Sequence, residues 1–89
     1  MAVPVTLAKD LARAIREGHP WLFRDALDRP PSIPSGTLVE VRRGGRMLAV
    51  GFWDARSPIA VRVLEPGPVA DPAALVRERL AAALQRRLD

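Results

Sequence analysis

Eight residues have side chains whose type and spacing suit work on a polyanion. Lys9, Arg13 and Arg16 stand at i, i+4 and i+7. On a helix that spacing stacks them along one side, as a cationic ridge about 10 Å long at 1.5 Å of rise per residue. His19 follows the ridge directly. A second group, Arg42, Arg43 and Arg46, brackets the pair Gly44-Gly45, where both residues tolerate the positive φ of a tight hairpin. Guanidinium groups at such a tip suit two-pronged contacts to phosphate. Each cluster also has a plainer reading. The ridge is equally a solvated helix face, partly neutralised by Asp10 and Glu17, and the tip an ordinary solubilising turn. Arg56 and Arg62 are weaker candidates, with Arg62 suited to pairing with Glu40 or Asp54.

Trp21 is the eighth candidate. Its ring can stack on an unpaired base or plug a small core, and Phe23 presents the same choice. A domain this small has few large side chains to spend, so the core is the expected place for both, with base contact kept open for Trp21. His19 can donate to a phosphate or anchor the backbone around Gly18, and anchoring is favoured.

Catalytic chemistry finds no footing. With no cysteine and His19 as the one histidine, thiolate catalysis, disulfides, Cys-based zinc sites and a Ser-His-Asp arrangement are excluded. The carboxylates are scattered rather than paired, and neither glycine-rich phosphate-loop pattern occurs. No metal site is expected. The net charge of +4, carried almost wholly by arginine, suits a polyanionic partner, although a GC-rich genome alone produces the same arginine bias. No apolar run reaches the length of a membrane span, and the amino terminus has no basic-then-apolar signal. A cytoplasmic location is the default.

The elements that must position these residues fit one domain within 89 residues. Residues 3–7 read as a short extended entry. Residues 7–17 read as an amphipathic helix, with Leu7, Leu11 and Ile15 on one stripe, Thr6 as N-cap and Gly18 at its end. Arg24 to Arg29 reads as a strand or irregular extended segment, and Pro30, Pro31 and Pro34 make the next stretch a loop. Thr37–Arg42, Met47–Trp53 and Ile59–Leu64 form an antiparallel meander with turns at Gly44-Gly45 and Asp54–Pro58. Residues 65–70 read as a linker. Asp71-Pro72 then opens a second helix, with an apolar stripe of Val76, Leu80, Leu84 and Leu88. Short strands with tight turns around one helix predict an α+β fold, a small, partly open mixed β barrel followed by a C-terminal helix.

Gly18-His19-Pro20-Trp21-Leu22-Phe23 resembles a signature near the start of bacterial class I SAM-dependent 23S rRNA cytosine-5 methyltransferases. Gly36–Val41, Leu48–Gly51 and Ser57–Leu64 resemble that family's successive strands, and Arg79–Leu88 resembles the helix leading into its middle domain. The resemblance spans nearly the whole chain in the same order. It implies a PUA-like pseudobarrel over residues 1–66 that binds RNA, and a linker and helix over 67–89 leading to a methyltransferase domain. S-adenosylmethionine, the cofactor loop and the catalytic cysteine would belong to that further domain, so no cofactor and no catalytic residue are expected in this chain. The resemblance also favours the first helix and the segment after it as the RNA-facing side. The expected partner is RNA, namely 23S rRNA. The alternative is a structural or dimerisation module without RNA contact, self-associating as a homodimer through the leucine stripe of the second helix.

Overall fold

The computed structural model describes residues 2–88, the side chain of Leu88 excepted. The α+β expectation holds. Six strands form one sheet: β1 (Val3–Leu7), β2 (Trp21–Phe23), β3 (Leu27–Asp28), β4 (Leu38–Arg43), β5 (Arg46–Trp53) and β6 (Ile59–Pro66). Their spatial order is β2-β6-β5-β4-β1-β3, with β1 parallel to β4 and the other pairs antiparallel.

The two edge strands are neighbours in sequence. Only the single 3₁₀ turn Arg24–Ala26 separates β2 from β3, so Phe23 and Leu27 can be no more than about 15 Å apart. Residues 21–28 are in effect one broken strand, whose first half pairs with β6 and whose second half pairs with β1. The sheet must therefore curl into a partly open barrel. Register shifts at Leu22/Phe23, Val41/Arg42 and Val50/Gly51 supply the bends. Of the strand or irregular extended segment expected over 24–29, the structure makes a 3₁₀ turn and a two-residue strand, because the chain has to cross from one edge to the other.

Alternation along the strands sorts the core. Val5 and Leu7 of β1, Leu22, Val39, Val41, Trp53 and Val61 point inward and are buried. Gly51 is needed at the β5–β6 crossing: a Cβ there would meet Val61 Cγ1 at 2.9 Å and the Arg62 carbonyl oxygen closer still.

The first helix is shorter than the stripe implied. α1 covers Ala12–Arg16 only. Thr6 does not cap it, since β1 continues to Leu7 with Thr6 opposite Asp28 and Arg42. The Ala12 N–H instead donates to Asp10 Oδ1 at 3.3 Å. Leu7 and Ile15 still reach the same core, Leu7 from a strand and Ile15 from the helix. Helical periodicity could not separate these cases, because a strand followed by a short bend and a helix can aim both residues at one centre.

Trp21 and Phe23 correct the expectation of a core position. They are 44% and 47% exposed. Leu22 lies between them and is buried, so strand parity turns both rings outward. The opposite parity would push two rings into an interior that already holds Trp53, and overpacking of that kind is unfavourable.

Arg24, not singled out in the sequence, fastens the broken strand to the β5–β6 turn. Its Nη2 donates to the Ser57 carbonyl at 2.8 Å and to the Asp54 carbonyl, and its guanidinium lies 5.1 Å from the Trp53 ring centroid. Asp54 completes that turn by accepting from the backbone N–H groups of Arg56 and Ser57 at 3.0 and 3.1 Å. These two bonds, helped by the charges of Arg62 and Arg24, hold its carboxyl below the usual aspartate range. Replacing Arg24 with Ala is expected to cost about 2 kcal/mol, because two carbonyls lose a charged donor. Arg24→Lys is expected to recover less than half of that, since an ammonium lacks the planar fork. Urea unfolding of the three proteins measures both.

α2 (Pro72–Leu88) opens as expected, with the Ala74 N–H donating to Asp71 Oδ1 at 3.1 Å. The stretch expected as linker is partly strand, since β6 runs to Pro66 and the Gly67 N–H bonds the Leu48 carbonyl at 2.6 Å. α2 is tied to the sheet by an Arg79–Glu65 ion pair. Its first turns are half-buried, whereas Leu80 and Leu84 are each 60% exposed. The last member of the expected stripe, Leu88, has its side chain outside the described set. Among the described residues, no helix is long and apolar enough to cross a membrane.

Candidate nucleic-acid interface

β1 ends at Leu7, and the chain passes through the exposed bend at Ala8–Asp10 into α1 before returning to the sheet at Trp21. Two bonds set that return. The His19 N–H closes α1 on the Ala14 carbonyl at 3.0 Å, and the Val63 N–H takes the Pro20 carbonyl at 2.7 Å. Gly18, at φ +92°, makes the reversal at the end of α1.

This path leaves a cleft of about 600 Å³ between the 9–11 bend, the end of α1, β2 and the 3₁₀ turn, within the usual size range of ligand sites. Leu11, Ala14, Pro20 and Leu22 give it apolar walls; Trp21 and Phe23 contribute exposed rings, and Lys9, Glu17, His19 and Asp25 supply the ionisable groups. A cavity combining a lysine ammonium, an imidazole, flat rings and carboxylates can take a ligand that has phosphate, an aromatic face and N–H donors.

The sequence-derived candidates divide as follows. Lys9, His19 and Trp21 line the cleft. Lys9 stands in the bend rather than on α1, so the expected three-residue helical ridge is corrected: β1 claims residues through Leu7, and the helix starts too late to include Lys9. Arg13 and Arg16 sit on α1 outside the cleft lining, both exposed, and Arg13 pairs with Glu17 at 2.9 Å. Side-chain exposure of 86% and 65% makes that pair weakly held.

The hairpin tip adjoins this region. Arg43 reaches across to the Leu7 carbonyl with Nη1 at 3.2 Å, just where the chain leaves β1 for the cleft. Arg42 turns back on its own hairpin, donating to Glu40 at 3.1 Å and to the Gly45 carbonyl at 3.2 Å. Glu40 is therefore engaged by Arg42 and not by Arg62. Arg46 is exposed, and among the described residues its side chain has no hydrogen-bond partner. The parallel pairing of β1 with β4, Thr6 opposite Arg42, brings the two cationic groups to one end of the barrel.

Sequence reasoning missed Asp25. A lone aspartate in an irregular stretch carries no signal; its place on the cleft wall follows from the turn that joins the sheet edges. No group of three His, Cys, Asp or Glu side chains that could hold a metal ion occurs among the described residues.

Comparison with known proteins agrees with this architecture. A family model described as "PUA-like domain" matches residues 5–66. A ribosomal RNA large subunit methyltransferase of Deinococcus radiodurans is 38% identical over 76 residues, which cover 82% of this chain and 19% of that protein. The ribosomal RNA large subunit methyltransferase I of Tolumonas auensis is 37% identical over 65 residues, 71% of this chain and 16% of its own length. Aliivibrio fischeri has a relative of the same name and identity. The chain thus spans less than a fifth of the curated relatives it matches. With a curled six-stranded sheet and a family match over most of its length, this chain belongs to the family of PUA-like domains.

Proposed function

We propose that this domain binds ribosomal RNA and holds it for methylation by an S-adenosylmethionine-dependent domain following it in a longer cytoplasmic protein, with a 23S rRNA cytosine as the target base. The observation that carries the reading is the gathering of Lys9, His19 and Trp21 around one cleft, with the Arg43 tip bonded to the adjoining end of β1. Arg13, Arg16, Arg42 and Arg46 extend this basic end beyond the cleft. On this reading residues 1–66 are the RNA-binding unit and 67–89 the connection onward, and the cofactor and the reacting groups belong to the following domain.

The test is titration of the chain with an rRNA stem–loop at two salt concentrations. Affinity is expected to fall about tenfold or more between 50 and 200 mM salt, as phosphate contacts release counterions. Absence of binding at 50 mM overturns the reading.

One observation favours a structural role for α2 besides. Leu80 and Leu84 are too exposed to serve this barrel's core. If they join two copies, light scattering at high protein concentration will show a dimer, and Leu84→Glu will return it to monomer. A monomer at every concentration sinks the homodimer.

A further inference from the structure

We infer that the cleft between α1, β2 and the 3₁₀ turn holds a single unpaired nucleobase, stacked on Trp21 and read by Asp25, with a preference for guanine over uracil. This deepens the RNA-binding reading and rests on it, because phosphate contacts alone would not use the cleft.

The cleft complements a nucleotide in three parts. Its flat surface comes from Trp21 and Phe23, which strand parity leaves 44% and 47% exposed in a domain whose other tryptophan is 2% exposed. Rings turned to water in this way offer a stacking face to any base. Its cation is Lys9, and the His19 imidazole adds an N–H donor, both suited to the phosphate. Its remaining polar groups are two carboxylates, which accept hydrogen bonds and do not donate. Glu17 is engaged by Arg13, whereas Asp25 is exposed and its side chain has no partner among the described residues. An acceptor on the wall selects a base edge that donates. Guanine presents two adjacent donors, N1–H and the N2 amino group, and can engage both carboxylate oxygens. Cytosine and adenine offer one amino group each. Uracil has only its N3–H, flanked by two carbonyls that the carboxylate repels. A paired base would have its donors occupied and its faces covered, so the site requires a single strand, loop or bulge.

The two tryptophans provide the measurement. In a Trp53→Phe protein Trp21 is the sole indole fluorophore, and a base stacked on it quenches its emission. The probes are a uridine hexamer, the same hexamer with one central guanosine, and a fully paired RNA duplex. The guanosine hexamer is expected to quench Trp21 and to bind about tenfold more tightly than the uridine hexamer. The duplex should leave the emission unchanged. Asp25→Ala should equalise the two hexamers while retaining the quench. In the protein with Trp53 intact, Trp21→Ala should weaken the guanosine hexamer about tenfold by anisotropy. Both side chains are on the surface, and thermal melting establishes that each variant is folded. Trp53 is buried, so if Trp53→Phe does not fold, the same titrations are read on the parent protein as the difference from Trp21→Ala. Equal affinity for the two hexamers, or a guanine preference that survives Asp25→Ala, overturns the inference. RNA bound by anisotropy with Trp21 emission unmoved also overturns it, while leaving the RNA-binding reading intact. No RNA bound at low salt overturns both.

Discussion

A Gly51→Ala protein is expected to lose about 3 kcal/mol of stability and to melt about 10–20 °C below its parent. The new methyl group would stand 2.9 Å from Val61 Cγ1 and closer to the Arg62 carbonyl oxygen. A side chain can rotate away from such a contact, but a carbonyl oxygen in a β ladder cannot without parting the strands. The contact falls beside the register shift at Val50/Gly51, where β5 and β6 approach closely. Separating them there would also disturb Arg62 and Val61, which pair with β2 and hold the closing strand. A domain of this size is stable by only about 5–10 kcal/mol, so the change removes a large share of the margin. Gly45→Ala is the control. Its φ is +78° but nothing lies within 4 Å of a Cβ built there, so it should cost about 1 kcal/mol from backbone strain alone. Thermal melts of the two proteins separate a steric requirement from a conformational one. Equal losses would remove the close-approach explanation.

The second large effect concerns charge. Replacing Lys9, Arg16 and Arg46 together with Ala is expected to weaken RNA binding about 100-fold at 0.1 M salt and to reduce the slope of log affinity against log salt by about 2–3. These three side chains are exposed and, among the described residues, have no internal partner. Their removal therefore strands no buried group and should leave the melting temperature nearly unchanged. The necessary comparison is Arg77, Arg86 and Arg87 replaced with Ala on α2. Both sets remove three positive charges, taking the net charge from +4 to +1. Overall electrostatic attraction thus falls equally, and only placement differs. If the α2 set weakens RNA as much as the first, binding follows net charge and not the end of the barrel where Lys9 and the hairpin tip meet.

The amino-acid sequence by itself determined the parts of this protein that depend on neighbours along the chain. Gly44-Gly45 marked the β4–β5 turn, Asp71-Pro72 marked the start of α2, and the alternation of Val39 and Val41 marked an inward face, because turn chemistry, capping and strand parity act within a few residues. The strand–helix–meander–helix order and the basic clusters were legible for the same reason. Tertiary structure alone decided the rest. Pairing of β1 with β4, more than thirty residues apart, and with β3 kept Thr6 and Leu7 extended and shortened α1, which moved Lys9 off the helix and into the cleft. Curling of the sheet broke residues 21–28 into two strands and a turn, which set Asp25 on the cleft wall and gave Arg24 carbonyl partners far along the chain. The burial of Leu22, set by a barrel already holding Trp53, turned Trp21 and Phe23 outward. Long-range pairing and limited interior volume made each of these choices, and neither quantity is written in local spacing.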